Sequence, residues 1–307
     1  MKLFKKKYIF GITYGILLVG FTVFVLCDTF FIPKIGVVVE SNSTITDNTN
    51  DEETTSDEIT EETEETVITD TSYTDSNISI NINTIREYDT DIYVVDITLS
   101  SIDYLKTSFA SNIYGRNITA TTSSIAESNN AILAINGDYY GFRTKGFVLR
   151  NGVIYRSTSY GNDNLVIYDD GSFGIASEDT DNLSDLLSNG ALQVFSFGPA
   201  LINDGEIVVD ANTEVDMAKS SNPRTAIGMI DPLHYVIIVS DGRTSLSEGL
   251  TLFELAEIFD SLGCTVAYNL DGGGSSTLYF NGNIINNPTD GNSSGERKVS
   301  DIIYVGY

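Results

Sequence analysis

Residues 40–76 contain thirteen Asp or Glu and neither Lys nor Arg, interleaved with Thr, Ser and Asn. A stretch with so little apolar surface and so much like charge cannot bury enough area to offset the entropy of ordering. Residues 33–76 therefore read as a disordered, self-repelling stalk. Any folded unit has to come from residues 77–307, a span within the range of a single domain.

Ahead of the stalk, Lys2, Lys5, Lys6 and Lys7 precede an uncharged run from Tyr8 to Cys27. At helical rise such a run crosses a hydrocarbon core about 30 Å thick. Basic residues stay on the cytoplasmic side, so residues 1–7 read as a cytoplasmic tail and residues 8–32 as a transmembrane signal anchor. The expected location is a single-pass plasma-membrane protein with its C-terminal domain outside, at a bacterial cell surface. A cleaved signal peptide is the alternative. Against it, Phe24-Val25-Leu26-Cys27 lacks the small residues of a cleavage site, and the apolar run is longer than a usual signal core.

The formal net charge is −26, and residues 1–39 hold five Lys and one Asp. Setting those and the thirteen stalk acids aside leaves −17 for residues 77–307. A domain this acidic lacks the basic patches that neutralise phosphates, so nucleic acid is not an expected partner. Two cysteines, Cys27 in the apolar run and Cys264 in an apolar strand, give neither a disulfide framework nor a thiolate metal site. His234 is the single histidine and follows the turn signal Asp231-Pro232. Ser-His-Asp, Cys-His and polyhistidine zinc chemistry are thereby made improbable. Carboxylates, arginines, tyrosines and backbone amides remain.

From Ile78 onward, short β-rich runs alternate with Gly, Asn and Asp turns, which predicts an α+β fold: one strand-rich domain with a few helices packed on the sheet. Strands are expected at 91–99, 131–135, 146–149, 153–156, 165–168, 191–195, 225–230, 235–239, 266–270, 277–280 and 299–305. Helices are expected at 121–128, 182–187 and 252–262. The last has a capping box in Thr251-Leu-Phe-Glu254 and a stop at Gly263. Hairpin turns are expected at Arg150-Asn151-Gly152, Asp169-Asp170-Gly171 and Asn203-Asp204-Gly205.

Four segments share one form, an apolar strand meeting polar residues and glycine. They are Asn136-Gly137-Asp138 after Ala131–Ile135, Asn222-Pro223-Arg224-Thr225 entering a strand, Asp241-Gly242-Arg243 after Val236–Ser240, and Asn269-Leu270-Asp271-Gly272-Gly273-Gly274-Ser275 after Cys264–Tyr268. Triple glycine lets a backbone approach a ligand closely, although it also serves as a plain tight turn. No Gly-Lys-Ser/Thr follows, and the glycines precede a strand, so neither a Walker loop nor a dinucleotide fingerprint is present. If neighbouring strands run parallel, Asp138, Asp241 and Asp271 meet along one sheet edge, in an arrangement suited to acid-base work, sugar hydroxyls or a cation such as calcium. Each Asp-Gly on its own is a common turn. Arg224, Arg243 and Arg297 offer forked donors for phosphate or carboxylate oxygens, with pairing to a neighbouring Asp as the structural alternative. Tyr139 and Tyr140 are placed to stack on a sugar or to pack in the core.

Asn136-Gly-Asp-Tyr-Tyr, Asn222-Pro-Arg-Thr-Ala-Ile-Gly, Asp241-Gly-Arg, Leu252-Phe-Glu-Leu-Ala and Asn269-Leu-Asp-Gly-Gly-Gly-Ser-Ser-Thr, in this order, resemble the phosphodiester glycosidase family over residues 131–307. The resemblance implies a hydrolase that cleaves between a sugar's anomeric carbon and a phosphodiester. Its substrate would be a glycan or glycolipid carrying a sugar-1-phosphate diester, in the cell envelope or an exopolysaccharide, with the membrane engaged through the N-terminal helix. It places Asp138, Arg224, Asp241, Asp271, Gly272 and Gly273 in the active site, with Asp138-Tyr139-Tyr140 departing from the commoner family pattern. Combined with the residue chemistry, Asp271, Asp241 and Arg224 are the expected catalytic groups. Asn136, Asp138, Thr225, Arg243, Asn269, Gly272, Gly273, Gly274, Ser275 and Arg297 are the expected substrate contacts. No cofactor is required by this chemistry, and calcium is the one cation the acidic cluster suggests. A non-catalytic envelope protein that holds glycan polymers fits the anchor and stalk equally well.

Overall fold

The computed structural model describes residues 6–39, 66–213, 221–291 and 293–307. Lys6–Phe30 is one helix. Its Tyr8–Phe30 portion is the one helix among the described residues long and apolar enough to cross a membrane, and none of it is buried. Such a helix fits a single-pass anchor or a signal sequence.

The stalk reading needs correcting at both ends. Lys34–Val38 forms a strand that pairs antiparallel with Ile113–Arg116, and the Asn117 amide donates to the carbonyls of Thr29 and Ile32 at 3.0 and 3.1 Å. At the other end, Val67–Ile68 and Ser72–Thr74 pair with each other and extend the largest sheet. Tyr73 explains the second shift, because its ring enters the core with 8% exposure. Residues 40–65, the most acidic part of the expected stalk, lie outside the described residues.

Three larger sheets make the body of the domain. In the nine-stranded sheet the order is Glu206–Ile207, Ala200–Asn203, Val266–Asn269, Arg224–Asp231, His234–Ser240, Thr90–Leu99, Ile78–Glu87, Ser72–Thr74 and Val67–Ile68. A five-stranded sheet runs Asn283–Ile284, Leu278–Phe280, Leu133–Asn136, Asp301–Val305, Leu105–Phe109. Another runs Val153–Arg156, Val148–Arg150, Ala191–Phe195, Asp163–Tyr168, Phe173–Ser177. The inner faces of all three meet in one apolar core, to which Ile80, Val95, Ile237, Leu133, Ile303, Leu165 and Phe195 contribute. Ile78–Glu87 was not among the expected strands. Its Ile78, Ile80 and Ile82 are buried between exposed Ser79, Asn81 and Asn83, the period-2 signal of a half-buried strand.

Helix Leu252–Ser261 forms where its caps direct. The Thr251 hydroxyl accepts from Glu254 N–H, and the Glu254 carboxylate accepts from Thr251 N–H. Leu252, Leu255, Ala256, Ile258 and Phe259 face the outer side of the nine-stranded sheet, against Ala226, Val236, Ile238 and Ala267. Each large side chain buried there contributes roughly 1.5–3 kcal/mol. Gly228 in the facing strand is needed for that approach, since a Cβ would lie 2.9 Å from the Phe259 ring. Helix Thr122–Ser128 covers the second sheet through Ile125 and Ala126 against Ala134 and Ile302. His234 opens its strand half-buried, 3.1 Å from the Asp96 carboxylate, and Cys264 is buried and unoxidised.

Candidate active site

The paired strands named above run antiparallel, so the parallel arrangement considered for the acidic ends is not the one observed. The ends converge by another route. Val266–Asn269 and His234–Ser240 both flank Arg224–Asp231 antiparallel and so point the same way, with Asn269 opposite Ala226 and Ser240 opposite Arg224. Asp271 and Asp241 therefore emerge at the end where Arg224 enters. The end of Leu133–Asn136 joins from the second sheet: the Asp271 N–H donates to the Gly137 carbonyl at 3.3 Å, and the Asn136 amide donates to the Asp271 carbonyl. Asn136 is fully buried and its Oδ1 accepts from the Thr225 hydroxyl at 2.8 Å and from Thr277 N–H at 3.2 Å. One amide thus ties three expected site segments together.

Asp271 is 7% exposed. Its Oδ2 accepts from the Ser275 hydroxyl at 2.6 Å and from Arg297 Nη2 at 2.8 Å. The Arg297 Nε–H also donates to the Ser275 oxygen at 2.9 Å. Asp271 Oδ1 has no hydrogen-bond partner among the described residues and is not among their fully buried unpartnered side-chain atoms. Burial raises the Asp271 pKa, Arg297 and Ser275 pull it down, and the Asp138 charge adds to the rise, with a net upward shift. The result is a carboxylate held in place at one oxygen and open at the other.

The glycines turn tightly against arginine side chains. Gly273 has φ +61, where a Cβ would lie 2.7 Å from Arg243 Nη2. At Gly272 a Cβ would sit 2.9 Å from the Pro223 carbonyl and 3.9 Å from Arg224 Cδ. The Gly273 N–H donates to that same carbonyl at 2.8 Å, so this amide is engaged in the turn. Arg224 is 3% exposed and its Nε donates to the Leu250 carbonyl at 2.9 Å. Burial, and then the nearby Arg243 cation, lower its pKa to about 10. Arg243 donates from Nε and Nη2 to Asn222 Oδ1 at 3.1 and 3.0 Å. Two guanidiniums close enough to repel one another beside a glycine turn form a cationic wall suited to a phosphate.

The other expected residues are placed differently. Asp241 accepts from Asn287 N–H at 2.8 Å and from the Asn287 amide at 2.8 Å, with the Tyr93 hydroxyl at 3.4 Å. Its carboxylate anchors the 286–291 loop. Asp138 accepts from Tyr139 N–H at 2.6 Å and Ser196 N–H at 2.9 Å, and lies 3.6 Å from Arg150 Nη2. Asn269 donates to the Gly198 carbonyl at 2.8 Å, while its Oδ1 is buried without a partner among the described residues. Gly274 closes against Asp290 and accepts from Arg297 N–H at 3.0 Å. Tyr140 is core, stacked on Tyr114 at 5.3 Å. Tyr139 remains half-buried beside Asp138, stacked on Phe142, with the Arg143 guanidinium 5.7 Å from its ring centre and 5.3 Å from that of Phe197.

Sequence reasoning missed Arg150, Asp301 and Asn287, and gave Asn222 a place in its motif but no role in the site. Arg150 was read only as part of a hairpin turn, yet it is 1% exposed and donates from Nε and Nη2 to Asp301 Oδ2 at 3.0 and 2.8 Å. Asp301 Oδ1 accepts from Asp138 N–H at 2.8 Å. A charged residue opening the apolar run Ile302–Val305 was the available signal. Among the described residues no group of three or more His, Cys, Asp or Glu is placed to hold a metal ion.

The phosphodiester glycosidase family model matches residues 129–306, more than half of the chain and all of the expected site residues. The chain belongs to the phosphodiester glycosidase family. Relatives within reach include the SPbeta prophage-derived uncharacterized protein YomE of Bacillus subtilis (strain 168), 33% identical over 205 residues, which cover 64% of this chain and 31% of that protein. The human N-acetylglucosamine-1-phosphodiester alpha-N-acetylglucosaminidase is 29% identical over 187 residues, covering 56% of this chain and 36% of the human one. The chain thus spans about a third of the length of these curated relatives. In fold it is similar to the zebrafish N-acetylglucosamine-1-phosphodiester alpha-N-acetylglucosaminidase catalytic domain auto-inhibited by pro-peptide, with a TM-score of 0.60 at 22% identity, covering 75% of this chain and 83% of that one. A hypothetical protein from Synechocystis aligns with a TM-score of 0.57 at 16% identity, covering 75% and 62% of the two chains. The strand-rich α+β fold is therefore the fold of the family's catalytic domain.

Proposed function

We propose that this protein is a membrane-anchored, extracytoplasmic glycosidase that hydrolyses sugar-1-phosphodiester linkages in cell-envelope or exopolysaccharide glycans. The observation that carries the reading is Asp271: one carboxylate oxygen fixed by Arg297 and Ser275, the other open, beside a glycine turn walled by Arg224 and Arg243.

Breaking the bond between the anomeric carbon and oxygen passes through an oxocarbenium-like state, which a carboxylate stabilises or meets with a positioned water. Asp271 supplies that group on the sugar side. The departing phosphomonoester is a good leaving group and needs little proton donation; Arg224 and Arg243 neutralise it, with the amide of Gly272 or Gly274 as further donor. Arg297 holds Asp271 in position. Asp241, through Asn287, and Asp138, through Ser196 and Arg150, set the walls, and Tyr139, half-buried beside Asp138, is a sugar contact. The reaction requires no cofactor; a calcium requirement is the competing proposal and is tested below by chelation.

The test uses the full chain in detergent with UDP-N-acetylglucosamine and an α-N-acetylglucosamine-1-phosphodiester of a methyl glycoside. Release of reducing sugar that falls at least 100-fold in Asp271→Asn supports the reading. The reading is sunk if wild type leaves both intact and the two proteins behave alike on every envelope glycan tried. Retention of polymer without new reducing ends would instead favour a non-catalytic glycan-binding protein.

A further inference from the structure

Leu105–Phe109 is the last strand of its sheet, paired on one side with Asp301–Val305. Around its other edge lie two cavities of about 580 and 310 Å³. Both are lined by Lys106, Thr107, Asn151 and Tyr304, so they form one groove wrapped around the strand. The Asp271, Arg297, Arg224 and Arg243 side chains contribute nothing to it. Each cavity is of the size that encloses a small organic ligand, and together they suit a chain of several rings.

The lining chemistry narrows the ligand. Tyr155, Tyr304 and Tyr307 bring aromatic rings to the larger cavity, the Tyr307 hydroxyl donating to Asp75 at 2.6 Å, and Asn112, Asn129 and Asn151 bring amides that each keep a bond within the protein, to Ser108, Ile125 and Gln193. Charge is scarce: Arg150 is neutralised by Asp301 at 2.8 Å, and Lys106 shares the smaller cavity with Asp103, whose charge acts on it. One lysine beside one aspartate leaves the lining without a net charge to select a phosphate or a carboxylate. A peptide adding itself as a further strand would need an open edge. Here the Asn151 amide already donates to the Thr107 carbonyl at 3.4 Å, and the Thr107 hydroxyl is tied to Gln193 at 3.0 Å. Rings that are polar at the rim and apolar on the face, without net charge, are what this surface fits.

We propose that this groove is a second glycan-binding site, separate from the Asp271 centre, that takes a neutral oligosaccharide chain along the outer side of Leu105–Phe109. Phe109 lies opposite Asp301 and Leu105 opposite Val305, and the larger cavity reaches Phe109 while the smaller reaches Leu105, so the groove runs along the strand from the end where Asp301 meets Asp138. A polymer seated there would be held near the domain independently of catalysis. The proposal does not rest on the hydrolytic reading.

Calorimetric titration of the full chain in detergent would test it, using neutral hexasaccharides of β-1,4-glucose, β-1,4-N-acetylglucosamine and α-1,6-mannose, with poly(glycerol phosphate) and a neutral hexapeptide alongside. Val153 lines the larger cavity and is 51% exposed, so Val153→Arg places a bulky side chain in the groove without disturbing the core. Tyr155→Ala removes a ring, with its melting temperature checked because Tyr155 also packs on Phe109 at 5.0 Å. At least one hexasaccharide is expected to bind, at least tenfold more weakly in Val153→Arg and undiminished in Asp271→Asn. The proposal is overturned if no hexasaccharide binds, if Val153→Arg leaves binding unchanged, if Asp271→Asn abolishes it, or if only the phosphate polymer or the peptide binds.

Discussion

Asp271 and Arg297 form an ion pair at 2.8 Å, 26 residues apart in sequence, in which Arg297 and Ser275 share a single oxygen of the carboxylate. The pair fixes the orientation of Asp271 and offsets part of the cost of burying it.

Removing the cation should therefore change the pH profile as well as the rate. Arg297 lowers a pKa that burial raises, so without it Asp271 holds its proton to higher pH. If Asp271 acts ionised, hydrolysis grows as pH rises through its pKa. In Arg297→Ala the acid limb of the kcat/KM profile should move to higher pH, with a loss of 10-fold or more at neutral pH. An unchanged limb alongside a lower rate would show that Arg297 acts on the substrate and not on Asp271.

Asp301 offers a stability test. Burial raises its pKa to about 6, against the opposing effect of Arg150. The folded state then holds a proton that the unfolded state has released above about pH 4. The associated stabilisation is full below that pH and is lost as pH rises through about 6. Melting temperature should fall between about pH 4 and 6, and the fall should flatten in Asp301→Asn. Equal slopes in the two proteins would remove Asp301 as the cause.

Gly273→Ala should be costly for two separate reasons. Its φ of +61 carries a penalty of about 1 kcal/mol or more for an L side chain, and the new methyl would meet Arg243 at 2.7 Å. Activity is expected to fall more than stability, because Arg243 must move from the site wall. A variant with wild-type kcat/KM would show that Arg243 is not needed where it sits.

Chelation separates the cation reading from the carboxylate reading. Asp138, Asp241 and Asp271 each hold protein donors at their oxygens. EDTA should therefore leave both the melting temperature and the hydrolysis rate unchanged. A drop of several degrees reversed by added calcium would establish a site that these contacts do not reveal.

Tyr139, half-buried beside Asp138, is a substrate contact under this reading. Tyr139→Ala should raise KM for a sugar-1-phosphodiester several-fold and alter kcat less, since such a contact is felt in substrate and transition state alike. A pure kcat effect would point instead to disturbance of Asp138, whose carboxylate accepts the Tyr139 N–H.

Much of this protein is local, and local features are legible in one dimension. The apolar run at Tyr8–Cys27, the capping box at Thr251–Glu254 and the continuous apolar runs of Leu133–Asn136 and His234–Ser240 act over a few residues, so the sequence alone determined the helices, eleven of the strands, the strand-rich fold class and the family motifs. Ile78–Glu87 was equally readable from its alternating isoleucines, but its Asn and Ser resembled the polar stretch before it. Tertiary structure alone decided which carboxylates stand open. Three Asp residues at strand ends look equivalent in sequence. The partners that distinguish them arrive from far along the chain: Asn287 for Asp241, Arg150 and Ser196 for Asp138, Arg297 for Asp271. Antiparallel pairing brings these ends together, and the burial that follows makes Asp271 resist ionisation.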